Sequence, residues 1–322
     1  MGELEFRPTT LDDAAFYSDV LSAVYPERPT DPVVERYWWA QPEITYLTRR
    51  FVVSRAGRAI GVADFDRPSW DSVPDRHGYI GGEVLPELRD GATLEAIFAE
   101  MERRLASDGA ERIAVRANED DELRIAAILR RGFREDRRGK RWLLDLVENR
   151  ARIEAMANES RKRMRAEGVE LLTMAEDADP EKHAKVWRLS LEAQKDVPTT
   201  LPHPEETLED YMQWFRAPDI REDRFWLARE GGDIVGVSVL DYPPVRGIVG
   251  TAWTATARRV RGRGVARALK CETLMQAMAL GIDRVRTGND AANDPILHIN
   301  ATMGYRPWVG SVNYLKDAAR SG

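Results

Sequence analysis

The chain has 322 residues, 48 basic against 54 acidic, and a formal net charge of −6. That balance gives no general nucleic-acid footprint, 43% hydrophobic and 32% charged residues are an ordinary globular mix, and a single cysteine excludes an internal disulfide. No stretch reads as a membrane span or an apolar signal region, so a cytoplasmic protein with neither membrane nor nucleic acid as a partner is expected.

Apolar spacing predicts a strand at 4–8, a helix from Asp12 capped by Thr10, and a second helix at 32–39. Strands follow at 51–54, 60–65 and 79–85, then a helix at 93–107, a strand at 113–116, a helix at 122–130 and a strand at 141–146. Residues 147–167 are a polar, helix-favouring connector whose basic run from Arg161 to Arg165 reads as a solvated face. The series then restarts with a strand at 169–174, a helix at 180–195, a proline-bearing loop and a helix at 208–216. Strands at 225–229 and 234–240 are joined by a Gly-Gly turn and followed by a strand at 248–256. A glycine-arginine turn leads into a helix at 265–280, a strand at 284–287, a helix at 296–303 stopped by Gly304, and an extended run at 305–309.

The restart has a numerical signature. Arg89, Gly109, Arg112, Gly132 and Phe133 each precede by 172 residues Arg261, Gly281, Arg284, Gly304 and Tyr305. A constant offset without a gap across 89–133 indicates a duplicated unit. Two tandem domains are therefore expected, 1–146 and 168–322, joined by 147–167.

The copies differ most at the turn before the long helix. Residues 258–270 carry six basic residues and no acidic one, with Gly262 and Gly264 where the strand becomes a helix. Unpaired N–H groups and the positive end of the helix dipole make such a turn an anion site, and glycine allows close approach of a phosphate. The spacing is neither that of a G-x-x-x-x-G-K-[ST] loop nor that of a dinucleotide fingerprint. In the first copy Ala92 and Leu94 stand where Gly264 and Ala266 stand in the second, and Glu87, Asp90 and Glu95 surround a single arginine. Acidic groups there satisfy the dipole themselves and repel a pyrophosphate.

The pattern R-x-x-G-x-A, read as Arg261, Gly264 and Ala266, resembles the acyl-CoA pyrophosphate loop of the GNAT superfamily of N-acetyltransferases. The order of strand, glycine-arginine turn, helix, strand, Asn-bearing loop, helix and Gly-aromatic is similar to the core of that family over most of 169–317. The resemblance implies an α/β (α+β) protein of two tandem GNAT-like domains, each a mixed, mostly antiparallel twisted sheet flanked by helices. It also implies an intact cofactor loop in the second copy and a degenerate one in the first. Acetyl-CoA is the implied acyl donor, held by the loop residues Arg261, Gly262, Arg263, Gly264, Val265 and Ala266. The strand segment Thr254, Ala255 and Thr256 is implied to line the pantetheine arm, with Asn293 contacting the same arm. The family's frequent tyrosine acid falls here on Asn300, which can position the sulfur by a hydrogen bond but cannot protonate it.

Asp196, His203, Glu205 and Glu206 lie in the loop that walls the acceptor site in the family, with Asp196 and His203 the candidates for acceptor chemistry. Asp241 and Tyr242 are further candidates, whereas Cys271 reads as a packed helix residue and the four histidines show no metal-ligand spacing. The resulting expectation is acetyl transfer from acetyl-CoA to a primary amine of a small molecule by direct attack in a ternary complex, without a metal. Two other readings are a relative of the tandem mycothiol synthases and a non-catalytic acyl-CoA-binding protein. A monomeric pseudo-dimer or a homodimer fits the duplication.

Overall fold

The computed structural model describes residues 3–318. The first half comprises β1 (Leu4–Pro8), α1 (Ala14–Val24), α2 (Pro32–Ala40), β2 (Tyr46–Arg55), β3 (Arg58–Pro68), β4 (His77–Val84), α3 (Gly91–Ser107), β5 (Arg112–Asn118), α4 (Glu122–Arg130) and β6 (Arg134–Asp145). Helix α5 (Arg150–Ala166) connects it to β7 (Val169–Thr173), α6 (Lys182–Gln194), α7 (Leu208–Phe215), β8 (Phe225–Glu230), β9 (Asp233–Asp241), β10 (Gly250–Thr256), α8 (Val265–Ala279), β11 (Arg284–Asp290), α9 (Asp294–Met303) and β12 (Arg306–Asp317).

The strands of the described residues form one twelve-stranded sheet in the order β1-β2-β3-β4-β5-β12-β6-β11-β10-β9-β8-β7. All neighbours are antiparallel except β4 with β5 and β10 with β11. The last strands of the two halves are exchanged. β12 pairs with β5 of the first half, and β6 pairs with β11 of the second. The pair Arg284↔Asp145 is the image, 172 residues apart on each side, of Arg112↔Asp317. Gly139↔Ser311, also 172 apart, marks the pseudo-twofold centre between β6 and β12.

The exchange is bound in by packing. Val312 and Tyr314 of β12 are buried with Phe98 and Met101 of α3 in the first half's core. Leu144 at the end of β6 and the adjacent Leu146 are buried with Leu274 of α8 and Val285 of β11. Burying each such side chain stabilises by about 1.5–3 kcal/mol, so neither half completes its core without the other's strand.

Two strands run well past their expected starts. β6 begins at Arg134 and β2 at Tyr46, against expectations of 141 and 51. The segment 134–140 is charged apart from Gly139 and has no apolar alternation; it is extended because β12 pairs along it from Arg134, with β11 joining on the other edge from Gly139.

The connector is not only a solvated face. Ile153, Ala157 and Met164 of α5 are buried, and Arg161 forms a two-pronged ion pair with Glu272 of α8 at 2.6 and 2.7 Å. Helix α2 of the first half also enters the second half: Tyr37 and Trp38 pack on its core, and the Tyr37 hydroxyl donates to the Gln213 carbonyl at 2.6 Å. Among the described residues no helix is long and apolar enough to cross a membrane.

Candidate active site

The site begins where β10 leaves β11. The two parallel strands are in register only at Gly250↔Arg286, while β10 stays paired to β9 as far as Thr256↔Gly236. A bulge between Thr251 and Trp253 bends the strand at this point. The free edge over Thr254, Ala255 and Thr256 can therefore accept a ligand by main-chain hydrogen bonds, the mode by which an extended chain adds to a sheet. Their side chains contribute structure, with Thr254 Oγ1 bonded to Ser238 Oγ at 2.9 Å.

The chain then turns at Arg258–Val260 and reaches α8 through two glycines in the left-handed region, Gly262 at φ 77° and Gly264 at φ 89°. The amides of Gly262, Gly264, Val265 and Ala266 make no hydrogen bond among the described residues, and Gly264 caps the helix without a side-chain acceptor. Gly236 sets the height of this turn. A Cβ there would lie 2.8 Å from Leu269 and 2.9 Å from Val265, so its absence lets the first turns of α8 rest directly on β9.

Every arginine of the turn is engaged by a carboxylate. Asp196 accepts from Arg258 and from Arg261, the latter at 2.7 Å, and these bonds hold its carboxyl well below the usual range. Arg259 pairs with Glu230 and Asp233, and Arg263 with Glu167 and Glu230 at 2.8 Å each. Such exposed pairs are worth about 0–1 kcal/mol, so exchanging one for an anionic ligand costs little. Asp196 thus belongs to the loop. His203, placed against Tyr46 at 3.2 Å, lies elsewhere and is lowered by burial.

Asn293 stands at the cap position of α9 without making a capping bond, which leaves its side chain available. Asn300 is fully buried; its Nδ2 donates to Asn289 Oδ1 on β11 at 2.8 Å, and its Oδ1 has no partner among the described residues. Trp253 Nε1 on β10 is likewise buried and unpaired. Orphaned polar atoms on the strand and helix that flank the gap fit a polar guest. Cys271 is buried and its thiol is pushed up to about 11 by desolvation, so it is no nucleophile.

The equivalent gap in the first half is filled from within. β4 and β5 stay in register over four pairs, His77↔Arg112 to Ile80↔Val115. Beyond them the Arg124 guanidinium bridges the strands, donating from Nη1 to the Gly82 carbonyl on β4 at 2.6 Å and from Nε to the Arg116 carbonyl on β5 at 2.8 Å. Glu83 accepts from Arg124 at 2.6 Å and from Arg89 at 3.0 Å, and Asp121 binds Arg89 at 2.5 Å. The helix start is capped by Asp90, which accepts from the Thr93 amide at 2.8 Å. Moving 172 residues along, Glu83, Asp121 and Arg124 become Ala255, Asn293 and Ile296, so the plug has no counterpart in the second half.

A cavity of about 370 Å³ opens beside the Gly250↔Arg286 junction. Its wall combines Arg28, Asp31 and Glu35 from the first half with Asp219, Asp241 and Arg286 from the second, closed by Arg141 and Trp308. The two halves are tied here by Asp31, which accepts from the Val33 and Val34 amides of its own helix and from the Val245 and Arg246 amides opposite at 2.6 and 2.9 Å. Neither His203 nor Asp196 lines this cavity. Arg28, Arg141 and Asp219 were not singled out from sequence, because only the folded junction brings them together.

The Acetyltransferase (GNAT) family profile matches residues 185–305. No curated protein sequence matches the chain. Among solved structures, a tandem GNAT protein from the clavulanic acid biosynthesis pathway superposes with a TM-score of 0.76 at 17% identity, covering 99% of this chain and 100% of the other. A GCN5-related N-acetyltransferase from Sphaerobacter thermophilus gives 0.68 at 16% identity, covering 99% and 97%. A GNAT-family acetyltransferase from Colwellia psychrerythraea gives 0.61 at 10% identity, covering 98% and 100%. The chain has the GNAT-superfamily acetyltransferase fold, laid out over both halves as in the tandem protein.

Proposed function

We propose that the chain is an acyl-CoA-dependent N-acyltransferase whose second half is the single catalytic copy, moving acetyl from acetyl-CoA to a primary amine of a small molecule in a ternary complex. The observation that carries this reading is the contrast between the two gaps. The second has an open strand edge and four unbonded amides at a glycine turn, whereas the first is bridged by Arg124.

The Gly262–Ala266 amides would hold the pyrophosphate, and the β10 edge would hold the pantetheine arm beside Asn293. Bound acetyl-CoA supplies an activated carbonyl, and transfer replaces its C–S bond by a C–N bond as the amine loses a proton. The chain's part is orientation, exclusion of water and hydrogen bonding at the gap. Asn300 positions rather than protonates; a thiol of pKa about 8.5 leaves without an enzyme-borne acid near neutral pH. The first half contributes α2 and Asp31 to the acceptor wall.

Asn300 in place of an acid also favours a second reading, an acyl-CoA-binding protein without turnover. Calorimetric titration with acetyl-CoA followed by thiol release on addition of amines separates the two. Binding without release with any amine supports the second, and no binding removes both.

A further inference from the structure

The cavity at the junction holds charges of both signs, and most of them are matched. Arg286 pairs with Asp241 and also donates from Nε to the Ile248 carbonyl at 3.1 Å. Arg246 bonds Asp19, Asp31 is met by four backbone amides, and Glu35 accepts from Trp39 Nε1 at 3.2 Å. Three groups stand out, two cations with no bonded carboxylate and a carboxylate with a buried, unbonded oxygen. Among the described residues neither Arg28 nor Arg141 has a carboxylate partner. Arg28 lies over the rings of Tyr25 and Trp308 at 5.3 and 5.7 Å, and Arg141 donates to Asn118 Oδ1 at 2.7 Å.

Both are half-buried and within electrostatic range of each other and of Arg286; Asp120 is in range of both yet bonds neither. Burial, and then repulsion from Arg28, Arg116 and Arg286, pushes Arg141 down to about 10. On the second half's wall, Asp219 Oδ1 is buried with no hydrogen-bond partner among the described residues. Burial raises its carboxyl, a hydrogen bond from its own backbone amide offsets part of that, and Asp241 and Asp31 raise it further while Arg286 opposes them.

Two cations without a bonded carboxylate and a carboxylate with a buried, unbonded oxygen, in one cavity, are unmet demands of opposite sign. A ligand with a single charge answers only one of them. The donor's own phosphates do not reach here, because the loop lies at the other end of β10, about 20 Å away at roughly 3.3 Å per residue. Guanidinium groups match a carboxylate in shape as well as charge.

We propose that the acceptor is a zwitterion, with a carboxylate held by Arg28 and Arg141 and its amine turned to Asp219. This rests on the acyltransferase reading of the same site and names its substrate class.

The test is calorimetric titration of the full chain, without acetyl-CoA, using ω-amino acids from glycine to 6-aminohexanoate. Alkylamines and carboxylic acids of matching length are the controls. One ω-amino acid should bind at least roughly tenfold tighter than its amine and acid counterparts, the scale of one charged hydrogen bond. Arg141→Met should remove that preference and leave alkylamine binding unchanged. It should also melt no lower than the parent, since it removes an unpaired half-buried charge; Arg28→Met gives the same readout from a different element. Equal binding of ω-amino acids and alkylamines, or no ω-amino acid bound at millimolar concentration, overturns the proposal. A separate titration with acetyl-CoA keeps the two claims apart. Its failure removes the acyltransferase reading, whereas acetyl-CoA binding without zwitterion preference removes this proposal alone.

Discussion

Lys270 offers a direct test of the energetics beneath the glycine-arginine turn. It lies in the second turn of α8 with 2% exposure, its Nζ over the Tyr305 ring at 5.4 Å and no carboxylate paired with it among the described residues. Desolvation pushes its ammonium from an ordinary 10.5 down to about 8. Between those values the unfolded chain holds the proton and the folded chain does not. The parent's stability therefore rises with pH through this window, and the full penalty is felt below about 8. At about 1.4 kcal/mol per pH unit, the displacement corresponds to about 3 kcal/mol. Lys270→Met keeps an unbranched side chain and removes the charge, so it should stabilise the protein by about that amount at pH 7. Unfolding entropy of about 2.1 cal/mol/K per residue over the chain converts this to a rise of about 4 °C in Tm. Denaturant and thermal melts of both proteins at pH 7 and pH 10 measure it, with the gain falling below about 1 kcal/mol at pH 10. Equal stability at pH 7, or an equal gain at both pH values, would refute the reasoning.

Four further outcomes follow from the two gaps and the loop. Gly264→Glu should abolish acetyl-CoA binding while the chain stays folded, because it sets a carboxylate at the anion site and a Cβ at φ 89°, 3.3 Å from Arg163; unchanged affinity in calorimetry would remove the loop assignment. Arg124→Ala leaves Glu83 with Arg89 but removes the bridge to the Gly82 and Arg116 carbonyls, so it should destabilise by about 1–3 kcal/mol, and a loss under about 1 kcal/mol in denaturant melts would show that the plug is not structural. Asn300→Ala should slow transfer more than it weakens acetyl-CoA binding, read as a fall in kcat with Kd nearly constant, and an unaltered rate would end its positioning role. Asp196→Ala frees Arg258 and Arg261 and should leave acetyl-CoA affinity equal or tighter; a tenfold loss would contradict its placement as a mere partner of the loop arginines.

The glycine-arginine turn was legible because its chemistry is local. Two glycines, a basic run and an apolar helix occupy consecutive residues, and the structure adds only their φ angles and free amides. Elements with strong apolar periodicity, such as Glu122–Arg130, fell on their expected bounds. The strand exchange was not legible, since Arg134–Arg138 is wholly charged and owes its extension to pairing with β12 rather than to its own residues. The plug leaves a signal in the sequence: at the 172-residue offset, Glu83 and Arg124 correspond to Ala255 and Ile296, an acidic and a basic residue absent together. The cavity at the junction left none. Arg28, Arg141, Asp219 and Arg286 come from four separate segments, and only the junction of the halves defines their charge balance.

The central claim is one working cofactor site in a duplicated fold. Titration of the full chain with acetyl-CoA, in parallel with Gly264→Glu, tests it most directly. One equivalent bound per chain, lost entirely in the variant, is the predicted result. Two equivalents, or one that survives Gly264→Glu, would contradict the account by placing acetyl-CoA in the gap that Arg124 fills.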